Sequence, residues 1–317
     1  MKKRTRRSVR TRRIGCLLII ILILIFAALG IHKVWGMAVQ TFKQVPAEAE
    51  QAKPKIITLG DEINSKNAVL IDLQNGTPIC EKASGDRAYP ASLTKIMTTI
   101  LAIEKTPDLQ KQILVPANIF KEINSKNASV AGFLPGEKVK AIDLLYGTML
   151  PSGADAAKSL AVSVAGSSEA FVALMNQKAA ELGMKNTHFT NEIGLQDPEH
   201  YTTAEDMAML LKYALKNDTF RKIFTSTKYS ASPTNKHKGG VTFYSTVFHS
   251  MKDPDFTGGA IIGGKTGYTE AAGLCLASLA EKNGHDYILV TAGANGNHET
   301  EQFDFDDAFY IYNKYLP

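Results

Sequence analysis

Apolar residues follow several rhythms along this chain, and each predicts a different element. From 14 to 31 every residue is apolar or glycine, an unbroken run of 18 and about the shortest that crosses a hydrocarbon core as a helix. From 37 to about 57, Gln, Lys, Glu and two prolines interrupt any period, which reads as a spacer. Between 68 and 83, two strand-like runs flank Asn75-Gly76, a strong hairpin signal. Leu93, Ile96, Met97, Ile100 and Leu101 then recur at helical spacing, so that helix is buried along one side.

Helical periods dominate from about 105 to 225. The clear pieces are 155–164, then 168–182 started by Ser167 and stopped by Gly183, then a helix from Ala204. For that last helix, Thr202 and Glu205 have the spacing of a capping box. After Val241 strand character returns at 260–267, 273–280 and 287–292, with Asn283-Gly284 as a turn. An amphipathic helix with Phe303, Phe309 and Tyr312 closes the chain. Strands at both ends of a helical block predict an α+β fold: an antiparallel sheet flanked by helices, with an inserted mostly helical lobe at about 105–225. A cleft between lobes is the expected ligand site. The heptapeptide EINSKNA occurs at 62–68 and again at 122–128; nothing flanking extends it, so it reads as coincidence.

At 317 residues, 44% hydrophobic and 21% charged, the chain has ordinary globular composition, which excludes a disordered or low-complexity protein. The net charge of +5 is local. Lys2, Lys3, Arg4, Arg6, Arg7, Arg10, Arg12 and Arg13 put +8 in the first thirteen residues, leaving +5 − 8 = −3 for the rest. Nucleic acid is therefore excluded as a partner, because no distributed basic surface remains to track phosphates. By the positive-inside rule the same asymmetry keeps residues 1–13 in the cytoplasm, with 14–33 as a transmembrane anchor in the cytoplasmic membrane. Residues 34–57 form the linker, and the folded domain at 58–317 stands outside. A cleaved signal peptide with a site near Gly36 and Ala38 is the alternative, and it exports the same domain. Cys16 lies within the apolar run, and Cys80 and Cys275 lie in strand-like stretches, where they read as small buried hydrophobes.

Candidate chemistry begins at Ser92-Leu93-Thr94-Lys95. Serine and lysine three apart on a helix share a face, so the amine can reach the hydroxyl. A lysine lowered by burial can take the proton of a serine, and a helix start offers N–H groups to an oxyanion. Ser152-Gly153 follows Pro151 at a break between helices, where a hydroxyl can face the cleft or cap the next helix. Lys265-Thr266-Gly267 follows Gly263-Gly264 on a strand. Glycines there suit close approach of another backbone, such as an extended peptide along the edge. His188, His200, His237, His249, His285 and His298 show no paired ligand spacing, so no metal and no organic cofactor is inferred.

These segments, YPASLTKIMT at 89–98, LPSGADA at 150–156, LGMKNTHF at 182–189, HYTTAEDMA at 200–208 and GGKTGYT at 263–269, resemble the D-alanyl-D-alanine carboxypeptidases among the low-molecular-mass penicillin-binding proteins. These are relatives of the serine β-lactamases, and the three short motifs are those general to that group. The likeness runs from about Leu70 onward. It implies a β-lactamase/transpeptidase-like fold with Ser92 as acylated nucleophile, Lys95 as general base and Ser152 as proton relay. It also implies Lys265 and Thr266 at the substrate carboxylate, with the Ser92 and Tyr268 N–H groups, next to Gly267, as oxyanion hole. The implied substrate is the peptidoglycan stem peptide, and β-lactams are implied as acylating inhibitors.

Two departures stand out. The family's second motif usually carries Asn where this chain has Ala154; its loss costs on the order of 2–4 kcal/mol of transition-state stabilisation if nothing replaces it. No arginine follows Arg221, so carboxylate recognition falls on Lys265 and Thr266. The alternatives are a weakly active or inactive wall-peptide binder, suggested by Ala154, and a D,D-endopeptidase on the same scaffold. A β-lactamase needs a deacylating glutamate that no motif here identifies.

Overall fold

The computed structural model describes residues 55–317. In chain order the elements are β1 Ile57–Thr58, β2 Asn67–Asp72, β3 Pro78–Lys82, α1 Thr94–Lys105, β4 Gln112–Leu114, α2 Ile119–Ser125, β5 Lys138–Lys140, α3 Ala141–Met149, α4 Ala154–Ala165, α5 Ser168–Leu182, α6 Ala204–Ala214 and α7 Asp218–Phe224. They continue with β6 Lys228–Ser230, β7 Thr242–Tyr244, α8 Thr246–Met251, β8 Asp255–Phe256, β9 Gly259–Thr269, β10 Gly273–Lys282, β11 His285–Ala294 and α9 Phe303–Tyr315. Seven strands form one sheet in the order β1-β3-β2-β11-β10-β9-β8.

Period-two alternation builds the layers. On β2, Val69 and Ile71 join the core beneath the helical block, while Ala68 and Leu70 join a second core on the opposite face. Cys275, Ala277 and Leu279 of β10 face the helices; Leu276 and Ala280 face α9 with Phe305, Ala308, Ile311 and Tyr312. Each strand of a sheet covered on both sides must be apolar at both parities. Cys80 and Cys275 are buried and unpaired to each other, as small hydrophobes in the two cores.

Several local expectations change. The sheet is antiparallel except where β1 pairs parallel with β3. Two short ribbons, β4 with β5 and β6 with β7, and the helix α8 lie where no such elements were predicted; three-residue strands are too short to show a period. The cap of α6 is Thr203, whose hydroxyl accepts from the Asp206 N–H at 3.0 Å, while the Glu205 N–H donates to the Ser84 carbonyl. The capping register is thus one residue later than the Thr202–Glu205 spacing suggested. Among the described residues no helix is long and apolar enough to cross a membrane. The expected tail at 1–13, transmembrane anchor at 14–33 and most of the linker lie outside the described residues.

β9 positions the site. β8 pairs with it only at Gly259 and Ala260, so beyond Ile261 its outer edge carries no partner strand. That edge faces the start of α1.

Candidate active site

A 3-10 turn at Ala91–Leu93 feeds α1. Ala91 has φ +45, a costly conformation for a residue with a Cβ, and it turns Ser92 toward β9. An added Cβ on Gly267 would stand 3.1 Å from the Ser92 nitrogen and 3.2 Å from the Pro90 oxygen. Glycine is what allows strand and turn to meet. From the opposite side, the loop after α5 closes on the same turn at Gly194, φ +84, where a Cβ would collide with the Ala91 carbonyl.

Lys95 lies one turn into α1. Its Nζ is 2.9 Å from Ser92 Oγ and donates to the Ile193 carbonyl at 2.6 Å. Burial lowers the ammonium to about 7, against the opposing pull of Glu192 and Asp155. A neutral amine beside a half-buried hydroxyl can accept its proton. The Ile193 carbonyl is itself fixed: Asn191 Oδ1 accepts from the N–H groups of Ile193, Gly194 and Leu195, and the Glu192 carbonyl accepts from Thr98 Oγ1 at 2.6 Å. Beneath it the Glu192 carboxylate, fully buried, meets Lys158 at 3.1 Å and Ser168 Oγ at 2.7 Å. His200 anchors the other end of the loop. Its Nδ1 accepts from the Thr190 N–H, so Nε2 donates to Thr94 Oγ1 at 2.8 Å. Burial lowers this imidazole to about 4, and it serves as a neutral clamp.

Ser92 and Lys95 open on a cavity of about 420 Å³ whose walls include Asn127, Ser129, Ile193, Gln196 and Tyr268. The Asp155 carboxylate holds the wall at 126–133 by accepting from the N–H groups of Ala131, Gly132 and Phe133. Thr266 and Gly267 instead line an adjoining cavity of about 120 Å³ that shares His298 with the first. Thr266 Oγ1 is 2.8 Å from Thr246 Oγ1. Lys265 is buried, and its Nζ donates to the Thr266 carbonyl at 2.7 Å. Burial, aided by Lys95, holds it well below the usual lysine range. Ser152 is buried with φ +61 and its hydroxyl has no hydrogen-bond partner. Backbone bonds place the segment around it: the Thr246 N–H donates to Leu150 and the Ala154 N–H to Ser129, and both partners line the two cavities.

The structure thus brings Ser92, Lys95 and Tyr268 to one cavity and Thr266 with Gly267 to the next. It does not hydrogen-bond Ser152 to Lys95 or Lys265. Sequence reasoning missed Asn191, Ile193, Asn127, Ser129, Thr246 and His298. Only Asn191-x-x-Gly194 carried a signal, as a turn; a backbone carbonyl such as that of Ile193 leaves no trace in residue type.

A family model described as D-alanyl-D-alanine carboxypeptidase (Peptidase S11) matches residues 49–296. The chain is 35% identical over 249 residues to the D-alanyl-D-alanine carboxypeptidase DacF of Bacillus subtilis, covering 76% of this chain and 61% of DacF. It is 30% identical to the D-alanyl-D-alanine carboxypeptidase of Streptomyces sp. strain K15, covering 80% of this chain and 86% of that one. The crystal structure of the Streptomyces K15 DD-transpeptidase superposes with a TM-score of 0.71 at 29% identity, over 80% of this chain and 98% of the other.

Proposed function

Because the chain belongs to the D-alanyl-D-alanine carboxypeptidase family, we propose that it hydrolyses the D-Ala-D-Ala bond of peptidoglycan stem peptides through an acyl-enzyme on Ser92. The observation that carries this reading is the 2.9 Å contact between Ser92 Oγ and the buried Lys95 amine at the mouth of the 420 Å³ cavity. Lys95 takes the hydroxyl proton as Oγ attacks the carbonyl carbon. The N–H groups of Ser92 and Tyr268 receive the oxyanion. The peptide bond breaks, the leaving amine takes up a proton through Ser152, and D-alanine departs. Water then attacks the ester, gives its proton to Lys95, and frees Ser92 with the shortened peptide as its acid. Thr266, with Lys265 behind it, lies along the carboxyl end of the substrate. No cofactor takes part in these steps. A β-lactam enters the first step and stalls at the second.

Ala154 gives little ground for reading a peptide binder without turnover, since the Ile193 carbonyl supplies an acceptor for Lys95. The basic tail at 1–13 and the apolar segment at 14–33 support a single-pass anchor with the domain outside the cytoplasm; recovery of the full chain in alkali-washed membranes tests that placement. The reaction is tested by incubating the protein with an N-acyl-D-Ala-D-Ala peptide and, separately, with benzylpenicillin. Expected are release of an alanine and a covalent adduct mapped to Ser92. Equal product from Ser92→Ala sinks the assignment.

A further inference from the structure

A peptide cleaved at Ser92 brings its terminal carboxylate one residue beyond the attacked carbon, about 3.6 Å of chain at most. A carboxylate drawn out of bulk water needs donors. The cavity of about 120 Å³ beyond Tyr268 lies at that end of the site, with Thr246, Thr266 and Gly267 in its wall. No lysine or arginine lines it. Lys265, the nearest cation in sequence, is 1% exposed, its Nζ donates to the Thr266 carbonyl at 2.7 Å, and burial holds it well below the usual lysine range. Arg221, the last arginine of the chain, is bonded to Asp286. Two histidines remain. His249 of α8 and His298 of the loop between β11 and α9 both line the cavity. Among the described residues the one histidine in an ion pair is His237, so neither of these two is committed to an acid.

His298 has the more telling position. It lines both the Ser92 cavity and the small one, and its ring stands edge-on to Tyr268 with centroids 4.9 Å apart. Its loop is fixed by local bonds: the Asn297 N–H donates to Thr300 Oγ1, the Glu299 N–H to Asn297 Oδ1 and Gln302 Nε2 to the Asn297 carbonyl, each at 2.8 Å. Gly296, with φ +108, makes a turn in which a Cβ would collide with Thr300. Thr246 and Thr266 hydroxyls lie 2.8 Å apart; one donates to the other, which leaves one proton for a ligand. Asp304 also borders the cavity, but it is 1% exposed and its unpartnered oxygen is sealed from solvent. Burial pushes that carboxyl up to about 7.

Resting on acyl transfer at Ser92, we propose that His298, with His249 on the same cavity, donates to the terminal carboxylate of the stem peptide and sets the preference for a free C-terminus. An imidazole has an N–H to give whether neutral or charged, and a charged one binds a carboxylate more strongly. The free threonine hydroxyl supplies a further donor. Lys265 acts from behind, steadying the Thr266 carbonyl on the strand edge along which the peptide lies.

The test uses the full-length protein with an N-acyl-D-Ala-D-Ala peptide and its C-terminal carboxamide at pH 7. Wild type is expected to favour the free acid at least thirtyfold in kcat/KM. His298→Ala lowers that ratio at least fivefold, through KM for the acid more than through kcat, and His249→Ala lowers it at least twofold. The double variant brings the two substrates within threefold of each other. His298→Arg, which keeps a donor and a charge, holds the ratio at least at half the wild-type value. Histidines that only support the fold would slow both substrates alike and leave the ratio where it was. A double variant whose ratio stays within twofold of wild type overturns the proposal, as does an arginine variant as low as the alanine one. Binding of the same pair to Ser92→Ala, read by calorimetry, is expected to favour the acid at least tenfold; equal binding overturns the proposal. The absence of a penicillin adduct at Ser92 with that binding preference intact instead removes the acyl-transfer reading and leaves the carboxylate site standing.

Discussion

Lys158→Met removes the one cation that, among the described residues, is bonded to the buried Glu192 carboxylate. The Lys158 Nζ lies 3.1 Å from Glu192 and 2.8 Å from Glu122; Lys158 is 3% exposed, Glu192 0% and Glu122 49%. Burial pulls the lysine pKa down, but Glu192 and Glu122 outweigh it and the net direction is upward. Stranding one member of a buried pair costs about 3–5 kcal/mol. Ser168 Oγ still donates to Glu192, and Glu122, half in water, loses little, so the lower end, about 3 kcal/mol, is expected. For a domain of this size that is a Tm drop of roughly 6–12 °C. Activity falls further than stability at ambient temperature requires, because Glu192 sits on the loop whose next carbonyl holds Lys95. The double variant Lys158→Met, Glu192→Met replaces the pair by apolar groups and is expected to regain most of the lost stability. Urea unfolding with m compared across variants reads the first effect, and benzylpenicillin acylation under native conditions reads the second. A loss below about 1 kcal/mol in the single variant, or a double variant as unstable as the single one, refutes the argument.

Acylation of Ser92 by benzylpenicillin is expected to rise with pH through a midpoint of about 7, the value to which burial lowers Lys95, because only the neutral amine accepts a proton; a midpoint above 9 refutes it. Gly267→Ala puts a Cβ within 3.2 Å of Ser92 N, Pro90 O and Ala91 Cβ. It should cost about 1–3 kcal/mol in stability and roughly a hundredfold in acylation rate; a loss under fivefold shows that the strand and turn need not touch. Ala154→Asn is expected to change kcat/KM less than about threefold, since Lys95 already has its acceptor in Ile193; a gain above about a hundredfold, the worth of an oxyanion-hole donor, shows that it does not.

Much of the frame was legible from the chain. The helix from 168 to 182, bounded by Ser167 and Gly183, stands as read because its cap and stop are local. So do the three long strands β9 to β11, whose alternation is long enough to count. The Thr202–Glu205 cap was misplaced by one residue because two threonines compete for the site, and the β-bridge between Ala88 and Thr202 takes the first one away. Asp304 was passed over for a related reason. An aspartate at a helix start usually faces water, and nothing in its neighbours shows that α9 packs it beside Thr266 and Gly267.

EINSKNA marks the boundary. At 122–128 its first four residues complete α2 and its end turns into the wall of the Ser92 cavity; at 62–68 its first five residues form a turn and bend and its last two begin β2. Residue order was enough to set the apolar rhythms, the serine and lysine one helical turn apart, and the glycines of β9, because each depends on neighbours within a few positions. Which carbonyl steadies Lys95, and which acid ends up beside Thr266, came from packing between segments about 40 to 100 residues apart. Local preferences are too weak to select such contacts; burial against the right partner selects them.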